Sequence, residues 1–214
     1  MNDLRTTLVQ CDLRWEDPDA NCKLLEQQLG DLDGGTTDLI VLPEMFSTGF
    51  TMNSREVAEP MAESPAVAWL LDQARQRNCV VTGSVAVVEA GEYVNRLIWA
   101  RPDGSLVHYD KRHLFRMAGE HKRYAMGHDR VIITLKGFRI LLSVCYDLRF
   151  PVWLRQNPGP EEHFEYDAIL CVANWPEPRR HPWRILLQAR AIENLCPVIG
   201  VNRVGEDANG MRYS

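Results

Sequence analysis

The run Asp38-Leu-Ile-Val-Leu-Pro-Glu44 constrains this chain more than any other segment. Four consecutive apolar residues without polar alternation are the pattern of a strand covered on both faces, as where helices pack on a largely parallel sheet. Pro43 cannot donate to a ladder, so it belongs at the strand's end. Helical and extended patterns alternate around this run. Residues 4–13 read as a strand. Asp17-Pro18-Asp19 supplies a cap and a first-turn proline for a helix over 20–32, stopped by Gly34-Gly35. A second helix spans 64–77. Residues 80–88, 93–100 and 105–109 read as strands separated by turns, and 131–135 and 138–144 as a hairpin around Lys136-Gly137. A short helix starts at Pro151, followed by a strand over 167–173, a helix over 181–194 and a strand over 197–202. This order predicts two sheets packed face to face with helices outside, a layered α/β arrangement. No Pro-, Gly- or Ser-rich linker divides it, so a single domain over 1–214 is expected.

Charge and cysteine usage narrow the function classes. Twenty-four Lys and Arg against 29 Asp and Glu give a net charge of −5, which argues against a nucleic-acid or acidic-membrane partner. The six cysteines at 11, 22, 79, 145, 171 and 196 never approach C-x-x-C spacing, so reduced thiols are expected, with neither a disulfide framework nor a metal cage. The N-terminus lacks a basic segment followed by a long apolar one, and no apolar stretch reaches the ~18 residues of a membrane span. A soluble cytoplasmic protein is the expectation.

Three apolar strands end on an ionisable residue, the place where layered α/β proteins carry their chemistry. Glu44 closes the first. A carboxylate there is partly desolvated and suits proton transfer, although a Glu that has simply reached solvent has the same pattern. Lys111 follows the 105–109 strand, flanked by Asp110 and Arg112, as a solvated turn would also be. Cys145 ends Phe138-Arg-Ile-Leu-Leu-Ser-Val and is followed by the polar Tyr146-Asp147-Leu148-Arg149. A nucleophile on such a sharp turn projects into a cleft and shares backbone N–H donors with what it attacks. The other five cysteines read as inert core thiols. A thiol needs a base, and a developing oxyanion needs a fixed positive donor. His113 and His121 are the imidazoles near these segments, and both also fit ordinary loop positions.

The residues that carry this pattern resemble a known family. LPEMF (42–46), YDKRHLF (109–115), GEH (119–121), SVCYDLRFP (143–151), NWP (174–176), RAIEN (190–194) and GVNRVGEDANG (200–210) are similar to the successive motifs of the carbon–nitrogen hydrolase (nitrilase) superfamily, and within it to the bacterial omega-amidase branch. The resemblance implies an αββα sandwich of two mixed β-sheets flanked by helices, dimerised through its helices. It implies Glu44 as general base, Lys111 as the cation for the tetrahedral intermediate, Cys145 as nucleophile and Glu120 as a second glutamate beside the lysine. A surface helix carboxylate is the other reading of Glu120. The implied substrate is a small omega-amide of a keto acid, of the 2-oxoglutaramate or 2-oxosuccinamate type, cleaved through a Cys145 thioester without cofactor or metal. The Tyr146 N–H is the implied backbone donor to the oxyanion. Arg116, Arg149, Arg179 and Arg180 are candidates for the substrate carboxylate, with Arg149 alternatively pairing Asp147 or a neighbouring helix. Phe46 and Trp175 either wall a narrow pocket or pack the core. Family members continue past the NG motif, so this chain is expected to lack part of the family's C-terminal segment.

Rival readings share the same residues. A carbamoylase or nitrilase would use the same Glu-Lys-Cys set. A thiol redox or scaffold protein would need only a reactive Cys145.

Overall fold

The computed structural model describes residues 3–157 and 164–214. The chain runs through β1 (Thr6–Leu8), α1 (Pro18–Leu29), β2 (Leu39–Val41), α2 (Ser54–Val57), β3 (Glu59–Pro60), α3 (Pro65–Arg77), β4 (Val80–Glu89), β5 (Glu92–Ala100) and β6 (Leu106–Asp110). It continues through β7 (Ile132–Leu135), β8 (Phe138–Val144), α4 (Pro151–Leu154), β9 (Ala168–Ala173), α5 (Arg180–Asn194), β10 (Val198–Asn202), β11 (Gly205–Glu206) and β12 (Arg212–Tyr213). One mixed sheet has the order β1-β2-β4-β5-β6, with β3 beside β4. A second has the order β10-β9-β8-β7, and β11 pairs β12 apart from both. The first sheet is parallel from β1 to β4 and antiparallel from β4 to β6. The second is antiparallel at β7–β8 and parallel from β8 to β10.

The apolar run at 39–42 behaves as its pattern demands. Leu39 and Val41 face a core shared with β8 and β9, whereas Ile40 and Leu42 face a second core with Leu25, Leu29, Val67, Leu70 and Ala74 of α1 and α3. The β5 residues divide the same way, with Leu97 and Trp99 toward the other sheet and Ile98 and Ala100 toward the helices. Residues of period two thus feed two cores from one sheet. On the outer side of the second sheet, Trp183, Leu186 and Leu187 of α5 cover β9 and β10. The molecule is therefore layered helix, sheet, sheet, helix. Each large aliphatic side chain buried here contributes about 1.5–3 kcal/mol.

Two expectations shift. The segment over 4–13 is a strand only at Thr6–Leu8, because the chain then crosses from one sheet to the other. Val9 N–H still donates to Val41, but Gln10 Nε2 reaches the Asn202 carbonyl, and Val204 N–H reaches that of Cys11. Helix α1 begins as expected, with Asp17 accepting from the Ala20 N–H at 3.0 Å. It ends at Leu29, not near 32, because Gly30 takes the positive φ of 48° that closes it. Among the described residues, no helix is long and apolar enough to cross a membrane.

Candidate active site

The carboxyl ends of β2, β6, β8 and β9 converge, and each delivers a polar residue just past its last apolar one: Glu44, Lys111, Cys145 and Asn174. Glu44 stands three residues past β2 on a turn whose next residue, Met45, has a φ of 43°. Ser84 of β4 holds this turn, its hydroxyl accepting the Met45 N–H at 2.8 Å and its carbonyl the Phe46 N–H at 3.1 Å. Gly83 lets the turn lie close to β4, since a Cβ there would stand 2.9 Å from Leu42 Cβ and from Phe46 Cδ1. Gly127 plays a similar part beside Lys111. Its own N–H donates to the Lys111 carbonyl at 2.9 Å, and a side chain would collide with the Asp110 backbone.

Cys145 adopts a φ of 46° directly after β8 and opens the short 3₁₀ turn Cys145–Arg149. A non-glycine residue in this region costs on the order of 1–3 kcal/mol, a strain typical of side chains aimed into a site. The buried Arg190 of α5 steadies the turn by donating to the Leu148 carbonyl at 3.1 Å.

Glu44, Lys111 and Glu120 are all fully buried and hydrogen-bonded together. Lys111 Nζ lies 2.8 Å from Glu44 Oε1, and 2.9 and 3.0 Å from the two oxygens of Glu120. It also stands 4.9 Å from the centre of the Phe50 ring, a cation–π contact. Glu120 Oε2 accepts the Phe115 N–H at 2.5 Å, so it is an interior carboxylate, not a surface one. Asn95 of β5 donates from Nδ2 to Glu44 Oε1 at 2.8 Å and to Glu120 Oε1 at 3.4 Å. On the far side, the Asn174 N–H donates to Glu44 Oε2 at 2.8 Å, and Asn174 Nδ2 donates to the Glu44 carbonyl. The Cys145 Sγ lies 3.9 Å from the carbonyl of Asn174, the residue whose N–H holds Glu44.

Charge follows from this packing. Burial alone would strip the Lys111 proton, but the facing Glu120 and Glu44 carboxylates overcome it and hold the amine well above the usual lysine range. Burial pushes the Glu120 carboxyl up. Lys111 opposes this and Glu44 adds to it. Burial also holds the Cys145 thiol well above its ordinary range, reinforced by Glu44 and opposed by Lys111. Packing therefore holds the proton on the Cys145 thiol and on the Lys111 amine. Such a set can pass a proton as sulfur attacks, and can stabilise a developing oxyanion.

Cys145 opens onto a cavity of about 430 Å³ walled by Phe50, Phe115, Tyr146 and Trp175, with Arg149 and Arg179 at its edge. Each guanidinium stacks on an aromatic wall, Arg149 5.0 Å from the Trp175 ring and Arg179 5.1 Å from that of Phe115. Asn202 fixes the Trp175 backbone with a reciprocal pair of hydrogen bonds at 2.6 and 2.9 Å. Tyr213 and Met211 of the β11–β12 hairpin complete the wall.

The structure thus gathers Glu44, Lys111, Glu120 and Cys145, and lines the cavity with Tyr146, Arg149 and Trp175. Phe46 resolves to the core, its ring 5.6 Å from Trp69, and it does not line the cavity. The neighbouring glycine on β4 draws it inward. Arg149 does not pair with Asp147, which is taken by Tyr109 and His113. His113 bonds Asp147 and stacks on Phe150 at 3.7 Å, and His121 is exposed. Asn95 escaped the sequence reading. Its one signal was a polar residue inside the β run Tyr93-Val-Asn-Arg-Leu-Ile-Trp. Among the described residues, no group of three or more His, Cys, Asp and Glu side chains is arranged to hold a metal ion.

Comparison with known proteins agrees with this geometry. The Carbon-nitrogen hydrolase family model matches residues 5–213. Omega-amidase YafV of Escherichia coli K12 is 47% identical over 213 residues, covering 100% of this chain and 79% of that protein. The 2-oxoglutaramate amidase of Bacillus subtilis is 33% identical over 202 residues, covering 93% and 76%. A solved CN-hydrolase superfamily protein, XC1258 of Xanthomonas campestris, carries an arsenic adduct in its active site. It superposes with a TM-score of 0.96 at 48% identity over 100% of this chain and 80% of its own. A sandwich of two mixed sheets, a buried Glu-Lys-Glu set beside a strained cysteine and a family match over nearly the whole length lead to one assignment: the chain belongs to the carbon–nitrogen hydrolase family.

Proposed function

We propose that this protein hydrolyses the terminal amide of a small keto-acid omega-amide to a carboxylate and ammonia, with Cys145 as nucleophile. The observation that carries the reading is the buried Lys111 ammonium, bonded to two buried carboxyl groups, one of which, Glu44, shares Asn174 with the strained Cys145. The Cys145 sulfur attacks the amide carbon while its proton passes to Glu44. The oxyanion forms against Lys111 and the Tyr146 N–H. The C–N bond breaks as Glu44 returns that proton to nitrogen, so ammonia leaves and a thioester remains. Water then gives a proton to Glu44 and adds to the thioester. The carbonyl re-forms, sulfur departs, and the proton returns to the thiol. Because burial keeps the thiol protonated at rest, Glu44 must act during the attack and not before it.

Substrate class is supported by two observations. Omega-amidase and 2-oxoglutaramate amidase relatives match most of the chain. Arg149 and Arg179 face the cavity without an ion pair among the described residues, which suits a substrate that brings a carboxylate. A homodimer belongs to the same reading, supported by Ile185 and Ile192 exposed along α5 and Leu195 at its end. Light scattering at two concentrations tests it.

Intact-mass spectrometry during turnover tests the reaction. An acyl adduct on Cys145, absent in Cys145→Ala, with ammonia released, is the expected result. A panel of omega-amides, carbamoyl amino acids and nitriles separates the amidase from a carbamoylase or nitrilase. Absence of ammonia from every amide would refute the proposal.

A further inference from the structure

We propose that Asp147 is a positioning residue that fixes the turn bearing Cys145 against the loop bearing Lys111. The inference rests on the hydrolytic reading above. Asp147 is completely buried and touches neither the cavity nor the Glu44–Lys111–Glu120 cluster. A buried carboxyl group needs partners that replace water, and here it has them. Oδ2 accepts the Tyr109 hydroxyl at 2.7 Å and the Val144 N–H at 3.0 Å. Oδ1 accepts the His113 N–H at 2.8 Å and faces His113 Nδ1 at 2.8 Å.

The placement of these partners is the basis of the inference. Tyr109 and His113 stand two residues before and two residues after Lys111. Val144 and Asp147 stand on either side of Cys145. β6, before Lys111, belongs to one sheet, and β8, before Cys145, belongs to the other. One carboxylate therefore ties the two sheets together at the place where ammonium and sulfur must share a substrate carbonyl. Aromatic packing reinforces the tie, with the His113 ring stacked on Phe150 at 3.7 Å and the Trp153 Nε1–H donating to the Tyr109 oxygen at 3.2 Å. The rest of the Lys111 loop is anchored by the Lys111 N–H to the Asn95 carbonyl of β5 and by the Gly127 N–H to the Lys111 carbonyl, each at 2.9 Å. Those bonds fix Lys111 on its own side, and two ties reach across to the sheet of Cys145: the Asp147 contacts, and Glu44, which bonds both Lys111 and Asn174 just past β9.

Asp147→Asn in the full chain is the test, because it keeps shape while turning an N–H group toward donors. With a keto-acid amide as substrate, kcat should fall by about 100-fold, the loss expected of a displacement of about 1 Å between reacting groups, while KM changes by less than about threefold. In the Lys111→Ala background the same substitution should add less than about threefold, because both act on one geometry. Labelling of Cys145 by iodoacetamide, followed by intact mass, should slow by about tenfold, as thiol and Glu44 lose their mutual placement. That readout does not depend on substrate choice, so an idle wild type would refute the hydrolytic reading and still leave Asp147 decided. Retention of kcat and labelling rate within about threefold, or full multiplicativity with Lys111→Ala, would overturn the proposal. If Asp147→Asn does not fold, Tyr109→Phe decides. It removes one donor, and kcat should fall about five- to tenfold at constant KM, whereas unchanged kcat would overturn the inference.

Discussion

Replacing Lys111 with Met separates what the ammonium does for the fold from what it does for the reaction. Lys111 is fully buried and makes three hydrogen bonds of 2.8 to 3.0 Å to Glu44 and Glu120. Its removal leaves two interior carboxylates facing each other with the Asn95 amide and backbone N–H groups as donors. Breaking a buried ion pair by deleting one partner costs about 3–5 kcal/mol. On the proposed mechanism Lys111 is also an oxyanion donor, and losing one costs about 2.7–4 kcal/mol in the barrier, or roughly 10²–10³ in kcat. The two losses differ in pH dependence. In the wild type, Lys111 opposes the upward push that burial gives Glu120. Without it the folded-state carboxyl rises further above its unfolded value. The folded variant then binds a proton that the unfolded chain has released, so stability falls as pH rises through that window and is least impaired below about pH 4. Urea titrations of both proteins from pH 4 to pH 8 should show a deficit that widens with pH, and adding Glu120→Gln should recover part of it. A deficit independent of pH would refute this account of the cluster. So would a variant as active as the parent.

Other expectations follow from single contacts. Arg149→Met with Arg179→Met should raise KM for amides that carry a carboxylate by about 10-fold or more, with little change for a neutral amide, as initial-rate kinetics will show. Asn95→Ala removes a donor to the buried Glu44 carboxyl and should lower stability by about 1–3 kcal/mol in denaturant titration, with kcat reduced at similar KM. Gly83→Ala puts a methyl group 2.9 Å from both Leu42 Cβ and Phe46 Cδ1, and should lower stability by about 1–3 kcal/mol in denaturant titration, with activity falling as the Glu44 turn moves.

What the sequence revealed follows from what local chemistry can encode. The two-faced burial of β2 is written in Leu39-Ile-Val-Leu, and Cys145 stood out because a polar tetrapeptide follows a buried run at once. Glu44 and Lys111 were legible as groups at strand ends, but their mutual contact was not, since 67 positions separate them. Family motifs supplied that link. Asn95 was hidden because a strand interior carries no punctuation that distinguishes a bonded polar side chain from a tolerated one. Asp147 was visible, but its true partners were not, and the pair with Arg149 offered as one alternative does not form. Sequence adjacency favoured Arg149, whereas the turn that strains Cys145 sends the carboxylate inward and the guanidinium to the cavity. Phe46 was ambiguous for a simpler reason. An aromatic after a strand serves a core or a pocket equally, and only the missing side chain at Gly83 shows which way it leans.

Glu44 and Lys111 belong to one sheet, and Cys145 to the other. The reaction centre is therefore a seam between two slabs, not a hollow in either one. A slight slide of one slab over the other would retain every ladder and every helix, yet would separate the Cys145 sulfur from Glu44 and Lys111. Turnover is thus a strain gauge for the whole molecule, and on gentle heating it should fade before circular dichroism registers any loss of secondary structure.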